Sequence, residues 1–482
     1  MKDKNFKSMG LSDEILKALN NLGFENPSEV QKEAIPYMLR KEDIIVKSQT
    51  GSGKTASFGI PLCEMMKVEE SKVQGLILVP TRELALQVKE DISNIGRIKK
   101  IRCAAVFGKQ PFNEQVRELK QRVHIVAGTP GRISDHINRG NLKLEDIKFV
   151  VVDEADKMLN MGFIDQIGEI LEKIPKERNT ALFSATLPEQ IEILCSKYMK
   201  NPKIITVEAK ALNRDKIKQS YLEVEEKDKL SELCRNLYAN APEAAIIFCN
   251  TRDKVKNVFN NLKREGIKVE QLHGDMEQKD RLQTMERFKN KEFKVLVATD
   301  IAARGIHIDH ITHVFNYEIP MEKESYVHRI GRTGRAGKEG FAISLVSSHD
   351  KKYFHEVEEY IGYKIEKGII PEYSDVVSGR NIFRESQKEM SKNIGTKKKN
   401  IHSDITKVHI TAGKKKKIRP IDIVGCFSNL EGITGDDVGI IDVQDGFSYV
   451  DILNGKGKAL LKKFKEVTIK GKKVKITEAK KS

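Results

Sequence analysis

Short apolar runs alternating with longer stretches of helical period constrain this chain more than any other feature. From residue 43 the runs are Asp43-Ile-Ile-Val-Lys-Ser, Gly75-Leu-Ile-Leu-Val-Pro, His124-Ile-Val-Ala-Gly-Thr, Phe149-Val-Val-Val-Asp and Ala181-Leu-Phe-Ser-Ala-Thr. Continuous apolarity over so few residues predicts strands buried on both faces, as in a parallel sheet wrapped by helices. Each run ends in small or polar residues, and an open α/β sheet binds ligands beyond the carboxyl ends of its strands. The rhythm resumes after a charged interval with Ala244-Ala-Ile-Ile-Phe-Cys, Lys268-Val-Glu-Gln-Leu-His, Lys294-Val-Leu-Val-Ala-Thr-Asp, His313-Val-Phe-Asn-Tyr and Gly340-Phe-Ala-Ile-Ser-Leu-Val. The fold class is therefore α/β, with two parallel-sheet domains over residues 1–210 and 211–370 that could be structural duplicates.

Residues 371–403 dissolve into Ser, Asn, Lys and Glu and are expected to form a flexible basic linker, since they could bury little apolar surface. Residues 404–482 read as strand, helix over Pro420 to Leu430, two strands around Asp445-Gly446, helix over Ala459 to Glu466, then a last strand. A β-α-β-β-α-β order predicts a small α+β sandwich, a split βαβ arrangement. Three domains are what 482 residues should hold at roughly 150 residues each.

The formal charge of +16 makes a polyanion the first partner to consider. It is unevenly spread, with +11 after residue 390. No apolar run is long enough to span a bilayer and the start carries no secretory signal, so a cytoplasmic protein is expected. Six scattered cysteines with no Cys-x-x-Cys argue against a disulfide framework or a structural zinc site and read as reduced core residues.

Ser48-Gln-Thr50-Gly51-Ser52-Gly53-Lys54-Thr55 follows a strand and opens a helix, as a phosphate-binding loop must. Its glycines admit backbone N–H groups to a β-phosphate, Lys54 reaches the β/γ oxygens, and the Thr55 hydroxyl suits Mg²⁺. Asp153-Glu154-Ala155-Asp156 ends the most apolar strand, so Asp153 can hold the metal through water and Glu154 can orient or deprotonate the attacking water. Ser184-Ala185-Thr186 ends a further strand and could hydrogen-bond this acidic cluster, coupling Ser184, Thr186 and Asp156. In the second domain His328-Arg-Ile-Gly-Arg332-Thr-Gly-Arg335 offers arginines spaced by three, with Arg332 and Arg335 as candidate arginine fingers or, alternatively, a solvated basic loop.

These motifs, in this order, resemble the DEAD-box ATP-dependent RNA helicases over about residues 6 to 346. The resemblance implies two RecA-like domains, an RNA-dependent ATPase and ATP with Mg²⁺ as cofactors. It implies that Phe6 stacks on adenine and that Gln31 reads the adenine edge. Pro80-Thr81-Arg82, Thr129-Pro-Gly-Arg132, His273-Gly274-Asp275, Gln278 to Arg281 and Ala298-Thr299-Asp300 resemble the segments that grip the RNA backbone. ATP and RNA would then bind across a cleft between the two sheets, closing it and coupling the two ligands. Two departures stand out: Gly108-Lys109 where the family commonly has Gly-Gly, and Arg304-Gly-Ile-His307 where it commonly ends in Asp. The tail resembles the RNA-recognition-like domain of the DbpA branch, which implies large-subunit ribosomal RNA as partner and a role in ribosome biogenesis. Its lysine run, Lys414, Lys415, Lys416 and Lys417, is the candidate contact. Phe447 and Tyr449 are either base-stacking residues or plain core aromatics. Nothing in the sequence demands more than a monomer.

Overall fold

The computed structural model describes residues 5–48, 53–207, 216–303, 311–334, 339–392 and 404–479. Its first sheet is built from β1 (Ile44–Lys47), β2 (Gly75–Leu78), β3 (Cys103–Val106), β4 (Ile125–Gly128), β5 (Phe149–Asp153), β6 (Asn179–Ser184) and β7 (Lys203–Thr206). The strands are all parallel, in the order β3-β4-β2-β5-β6-β1-β7. Side chains on both faces are buried, Ile44, Val46, Ile77 and Val151 in one core cluster and Ile45, Leu76, Leu78 and Val150 in another, which is why these strands read as unbroken apolar runs.

The second sheet contains β8 (Ile217–Glu223), β9 (Ala245–Cys249), β10 (Val269–Leu272), β11 (Val295–Thr299), β12 (His313–Asn316), β13 (Gly340–Val346) and β14 (Glu366–Lys367). Its order is β10-β11-β9-β12-β13-β8-β14, again all parallel. Raising every label of the first sheet by seven gives the second, so the two domains repeat one topology. Strands β3, β7, β8 and β14, at or next to the sheet edges, have no clear apolar run to announce them. Cys103-Ala-Ala-Val and Glu366-Lys367 carry too little branched apolar surface to signal a strand by themselves.

One expectation is overturned. Residues placed in the flexible linker form the helix Tyr373–Lys392, whose Phe383 is fully buried and meets Tyr238 edge-on at 6.0 Å. Polar residues on the outer face conceal a single anchoring aromatic, and Gln387 adds a hydrogen bond from the Lys268 N–H. Residues 393–403, the rest of that segment, lie outside the described residues.

The C-terminal domain is an antiparallel sheet of β15 (Thr406–Ile410), β16 (Val438–Val443), β17 (Ser448–Ile452), β18 (Glu466–Ile469) and β19 (Lys472–Glu478), ordered β16-β17-β15-β19-β18. The helices Pro420–Ser428 and Gly457–Lys463 cover its core face, Ile423, Phe427 and Leu460 packing on Val408, Val450 and Ile476. Strand β18 is an addition to the expected order, and the second helix ends three residues earlier than Glu466. Val467 and Ile469 alternate with exposed Glu466 and Thr468, and Lys470-Gly471 both take positive φ (52° and 74°). That pair forms the two-residue turn that suits a twisted hairpin.

Candidate active site

The first sheet gathers its polar residues at the carboxyl ends of β1, β5 and β6. Gly53 ends the phosphate-binding loop with φ 88°, a backbone that L side chains rarely adopt, and a Cβ there would come 2.7 Å from Gln31 Nε2, so any side chain must push that amide aside. Gln31 is held by its own helix start. Its Oε1 accepts from the Ser28 N–H at 2.9 Å, and its Nε2 donates to the Gly53 carbonyl at 3.2 Å. The residue that resemblance assigns to the adenine edge thus also props the loop. Lys54 opens the helix Lys54–Met65, is buried, and donates to the Ser48 carbonyl at 3.1 Å. Thr50, Gly51 and Ser52 lie outside the described residues. Phe6 is buried and packs edge-on against Phe24 at 6.3 Å.

Asp153 closes β5 and accepts from the Glu154 N–H at 2.9 Å. Burial pushes its carboxyl up to about 6, with Lys54 pulling the other way. Glu154 follows in left-handed backbone (φ 55°), a conformation that costs a non-glycine residue about 1–2 kcal/mol and is characteristic of functional positions. Its Oε1 meets Lys157 Nζ at 2.6 Å, both side chains buried. The Ser184 Oγ accepts from the Asp156 N–H of the acidic cluster at 3.1 Å and donates to the Thr186 carbonyl of its own segment at 2.6 Å. Asp156 Oδ2 accepts from the Ala185 N–H at 3.3 Å, and the Ser184 carbonyl accepts from the Ser48 N–H at 3.0 Å. Loop, acidic cluster and Ser-Ala-Thr segment therefore form one hydrogen-bonded body. Asp153 and Thr55 offer hard oxygen donors in the same site as buried Lys54, a set that suits Mg²⁺ with a polyphosphate.

Three further loops lie side by side, after β2, β3 and β4. Thr81 caps the helix Arg82–Ile95, its Oγ1 accepting from the Leu84 N–H at 3.2 Å, and Arg82 lies over Gly108. Lys109 keeps the left-handed backbone expected of a glycine at this position (φ 58°), so the departure from Gly-Gly preserves the turn and adds a cation. Thr129 precedes the helix Pro130–Asn138, and Arg132 donates to the Gln110 carbonyl at 3.2 Å and to Gln115 Oε1 at 3.0 Å. Sequence reading missed this support. Gln115 is buried and bonded to the Phe107 carbonyl and His136, while Phe112 stacks on His136 at 4.3 Å with Arg139 at 4.6 Å from its ring.

In the second domain His273 is buried at the end of β10, Gly274 follows it, and Thr299 ends β11. The arginine motif is no solvated loop in its described part. Arg332 is buried, with Nε donating to the His328 carbonyl at 3.1 Å. Arg329, not singled out from the sequence, is the hub: it grips Asp300 through two bonds of 2.7 and 2.6 Å, and also reaches the Glu318 carbonyl and Asn250 Oδ1. Arg335 and His307 lie outside the described residues.

The C-terminal domain brings the exposed run Lys414 to Lys417 beside the β18–β19 hairpin, where Lys472 Nζ donates to the Lys416 carbonyl at 3.0 Å and Lys470 Nζ to that of Lys417 at 3.4 Å. His409, Phe447 and Tyr449 form an aromatic trio with centroids 5.3–5.5 Å apart on the face away from the core. They are not core aromatics.

Comparison with known proteins bears on all three domains. The DEAD/DEAH box helicase family matches residues 28–194, the helicase conserved C-terminal domain matches 228–337, and the DbpA RNA binding domain matches 407–478. The chain is 49% identical over 477 residues to the ATP-dependent RNA helicase DbpA of Bacillus subtilis, covering 99% of this chain and 100% of the relative. It belongs to the DEAD-box RNA helicases, in the DbpA branch. The helicase is also 46% identical to the DEAD-box ATP-dependent RNA helicase CshA of Geobacillus kaustophilus, over 78% of this chain and 80% of that one. Among solved structures it resembles Saccharomyces cerevisiae Dbp5 bound to RNA and ADP BeF3, with 30% identity, TM-score 0.70 and coverage of 80% of this chain and 100% of that one. This helicase is an RNA-dependent ATPase that uses ATP and binds RNA.

Proposed function

We propose that this ATP-dependent RNA helicase locally unwinds short RNA duplexes and is directed by its C-terminal domain to large-subunit ribosomal RNA during ribosome assembly. The observation that carries the targeting half is the lysine end of the C-terminal sheet, where the Lys414–Lys417 run and the Lys470–Lys473 hairpin converge beside the aromatic trio. Clustered cations neutralise phosphates without reading sequence, while exposed aromatic faces engage unpaired bases. The DbpA RNA binding domain match over residues 407–478 supports the same reading.

In the helicase domains, Thr55 and Asp153 would hold Mg²⁺, which when bound supplies charge to the phosphate oxygens. Lys54 binds the β/γ oxygens from the start of its helix. Glu154, fixed by its backbone and by Lys157, orients the attacking water and takes its proton. Arg332 and Arg335 supply positive charge to the transferring phosphoryl group. The loops carrying Thr81, Arg82, Thr129 and Arg132, with His273, Gly274 and Thr299, hold RNA backbone, so the core does not choose its substrate by sequence. The protein works as a cytoplasmic monomer. Strand displacement on a short duplex bearing a ribosomal RNA fragment tests the reading, with the same duplex lacking the fragment as comparison. ATP- and Mg²⁺-dependent displacement at least 10-fold faster with the fragment is expected, and equal rates would overturn the targeting.

A further inference from the structure

The C-terminal domain is polar along its strands. Because β15 and β17 run antiparallel, Thr406 pairs with Ile452 at one end of the sheet and Ile410 with Ser448 at the other. The Ile410 end leads into the lysine run and the β16–β17 turn, with the Lys414 and Lys415 N–H groups donating to the Gln444 and Asp445 carbonyls at 2.8 Å. The Thr406 end carries Asp404, Asp436, Asp437 and Asp451. Asp437 is met within the domain, by Lys456 Nζ at 2.6 Å and the Thr434 N–H at 2.8 Å, whereas Asp451 takes its ion-pair partner from outside it.

That partner is the first helicase domain, which forms one compact unit with this one. Arg97 Nη2 meets Asp451 Oδ2 at 3.0 Å. Strand β17 alternates, with Ser448, Val450 and Ile452 facing inward and Tyr449 and Asp451 facing outward, yet Asp451 is only 3% exposed. A carboxylate on the outer face of a sheet is covered so completely only when something lies on it. Arg102 Nη1 donates to the Ile441 carbonyl at 2.9 Å and its Nη2 stands 3.9 Å from Asp442 Oδ1, covering the edge strand β16. Lys17 Nζ donates to Asn454 Oδ1 at 2.9 Å and lies 3.9 Å from Asp404. Asn454 is itself fixed, its Nδ2 donating to Asp437 Oδ1 at 2.9 Å. Burial pulls the Lys100 ammonium below its ordinary value, with Asp436 and Asp437 opposing. Two atoms are left over at the centre, Arg97 Nε and Asp451 Oδ1, neither with a hydrogen-bond partner.

We propose that the acidic end of the C-terminal sheet, together with the adjoining edge of β16 at Ile441 and Asp442, is a docking surface for the first helicase domain, received by Lys17, Arg97, Lys100 and Arg102. The RNA-binding domain is thereby carried on the ATP-binding domain by an acid–base contact, with its lysine end left for RNA. Its named contacts are ion pairs and hydrogen bonds, so the contact is salt-sensitive. The docking does not depend on which RNA the lysine end takes.

Hydrogen exchange on the full-length protein, read by mass spectrometry without RNA, tests it. Arg97→Glu with Arg102→Glu should raise exchange about 10-fold in segments 438–443 and 451–456, leaving segment 54–65 and the inner strand segment 474–476 unchanged as internal measures of folding. Adding Asp442→Arg and Asp451→Arg should restore protection. Lys17→Glu alone, at a half-exposed site, and a rise in salt from about 50 to about 500 mM on the unaltered protein should each give a smaller increase in the same segments. Unchanged exchange on charge reversal, or a swap that keeps core protection but fails to restore the surface, would overturn the proposal. So would single-stranded RNA protecting segments 438–443 and 451–456 in the charge-reversed variant, which would make this an RNA surface.

Discussion

Gly53 is where one hydrogen atom matters most. With φ 88° and Gln31 Nε2 2.7 Å from where an added methyl would lie, Gly53→Ala must displace the amide that props the loop and that resemblance assigns to the adenine edge. Nucleotide affinity should fall by at least 10-fold in equilibrium titration. Gly140→Ala, with φ 67° and nothing within 4 Å, has the same backbone strain without the collision and should leave affinity unchanged. Equal losses in the two variants would mean that strain, not the Gln31 contact, governs the site. Glu154→Gln is expected to reduce steady-state ATP hydrolysis by at least about 10²-fold while ATP and RNA still bind, since the cradle survives and only proton acceptance is lost. Turnover near the original rate would remove Glu154 from its role. Arg329→Met should destabilise the second domain by about 3–5 kcal/mol in denaturant melts, because it leaves the Asp300 carboxylate without the guanidinium that holds it. A loss under about 1 kcal/mol would contradict the hub. The candidate site residues were legible because short motifs fix them. Arg329 and Gln115 were not, because a buried arginine or glutamine reads in sequence as an exposed one until its partners, 29 and 8 residues away, are placed beside it.

Among elements, the parallel strands could be read because burial on both faces leaves an uninterrupted apolar run, as in Phe149-Val-Val-Val. The helix Tyr373–Lys392 could not. It packs by one edge, shows Tyr373, Val377 and Ile382 to solvent, and resembles a linker by composition. Its anchor gives a direct measure: Phe383→Ala should cost about 3–5 kcal/mol if the helix is an integral part of the second domain. A cost near zero would return the segment to linker status. Hairpin β18–β19 was hidden for a different reason, since the helical pattern extends to Glu466 and leaves Val467-Thr-Ile too short to announce a strand, while the positive φ of Lys470 and Gly471 marks the turn.

Across the molecule, two repeats of one sheet topology carry the helicase motifs, while +11 of the +16 charge lies after residue 390, +7 of it within the third domain over residues 404–482. The charge asymmetry was visible from the sequence. The pairing of Arg97 with Asp451, 354 residues apart, was not, since a lone aspartate in a lysine-rich tail carries no mark of its partner. The proposed function is a division of labour, with a core that hydrolyses ATP on any RNA and a tail that chooses the RNA. The sharpest test of that division compares full-length protein with a chain ending at Lys392, which keeps the helix on the second domain. ATPase rate is measured against concentration of a large-subunit ribosomal RNA fragment and of an unrelated RNA, at two salt concentrations. The truncated chain is expected to need at least 10-fold more ribosomal fragment for half-maximal stimulation, to show a flatter salt slope because fewer phosphates are neutralised, and to keep maximal turnover within about twofold. A truncated chain that still prefers the ribosomal fragment by the same factor as the full-length protein would refute the division and place the choice of RNA in the helicase domains.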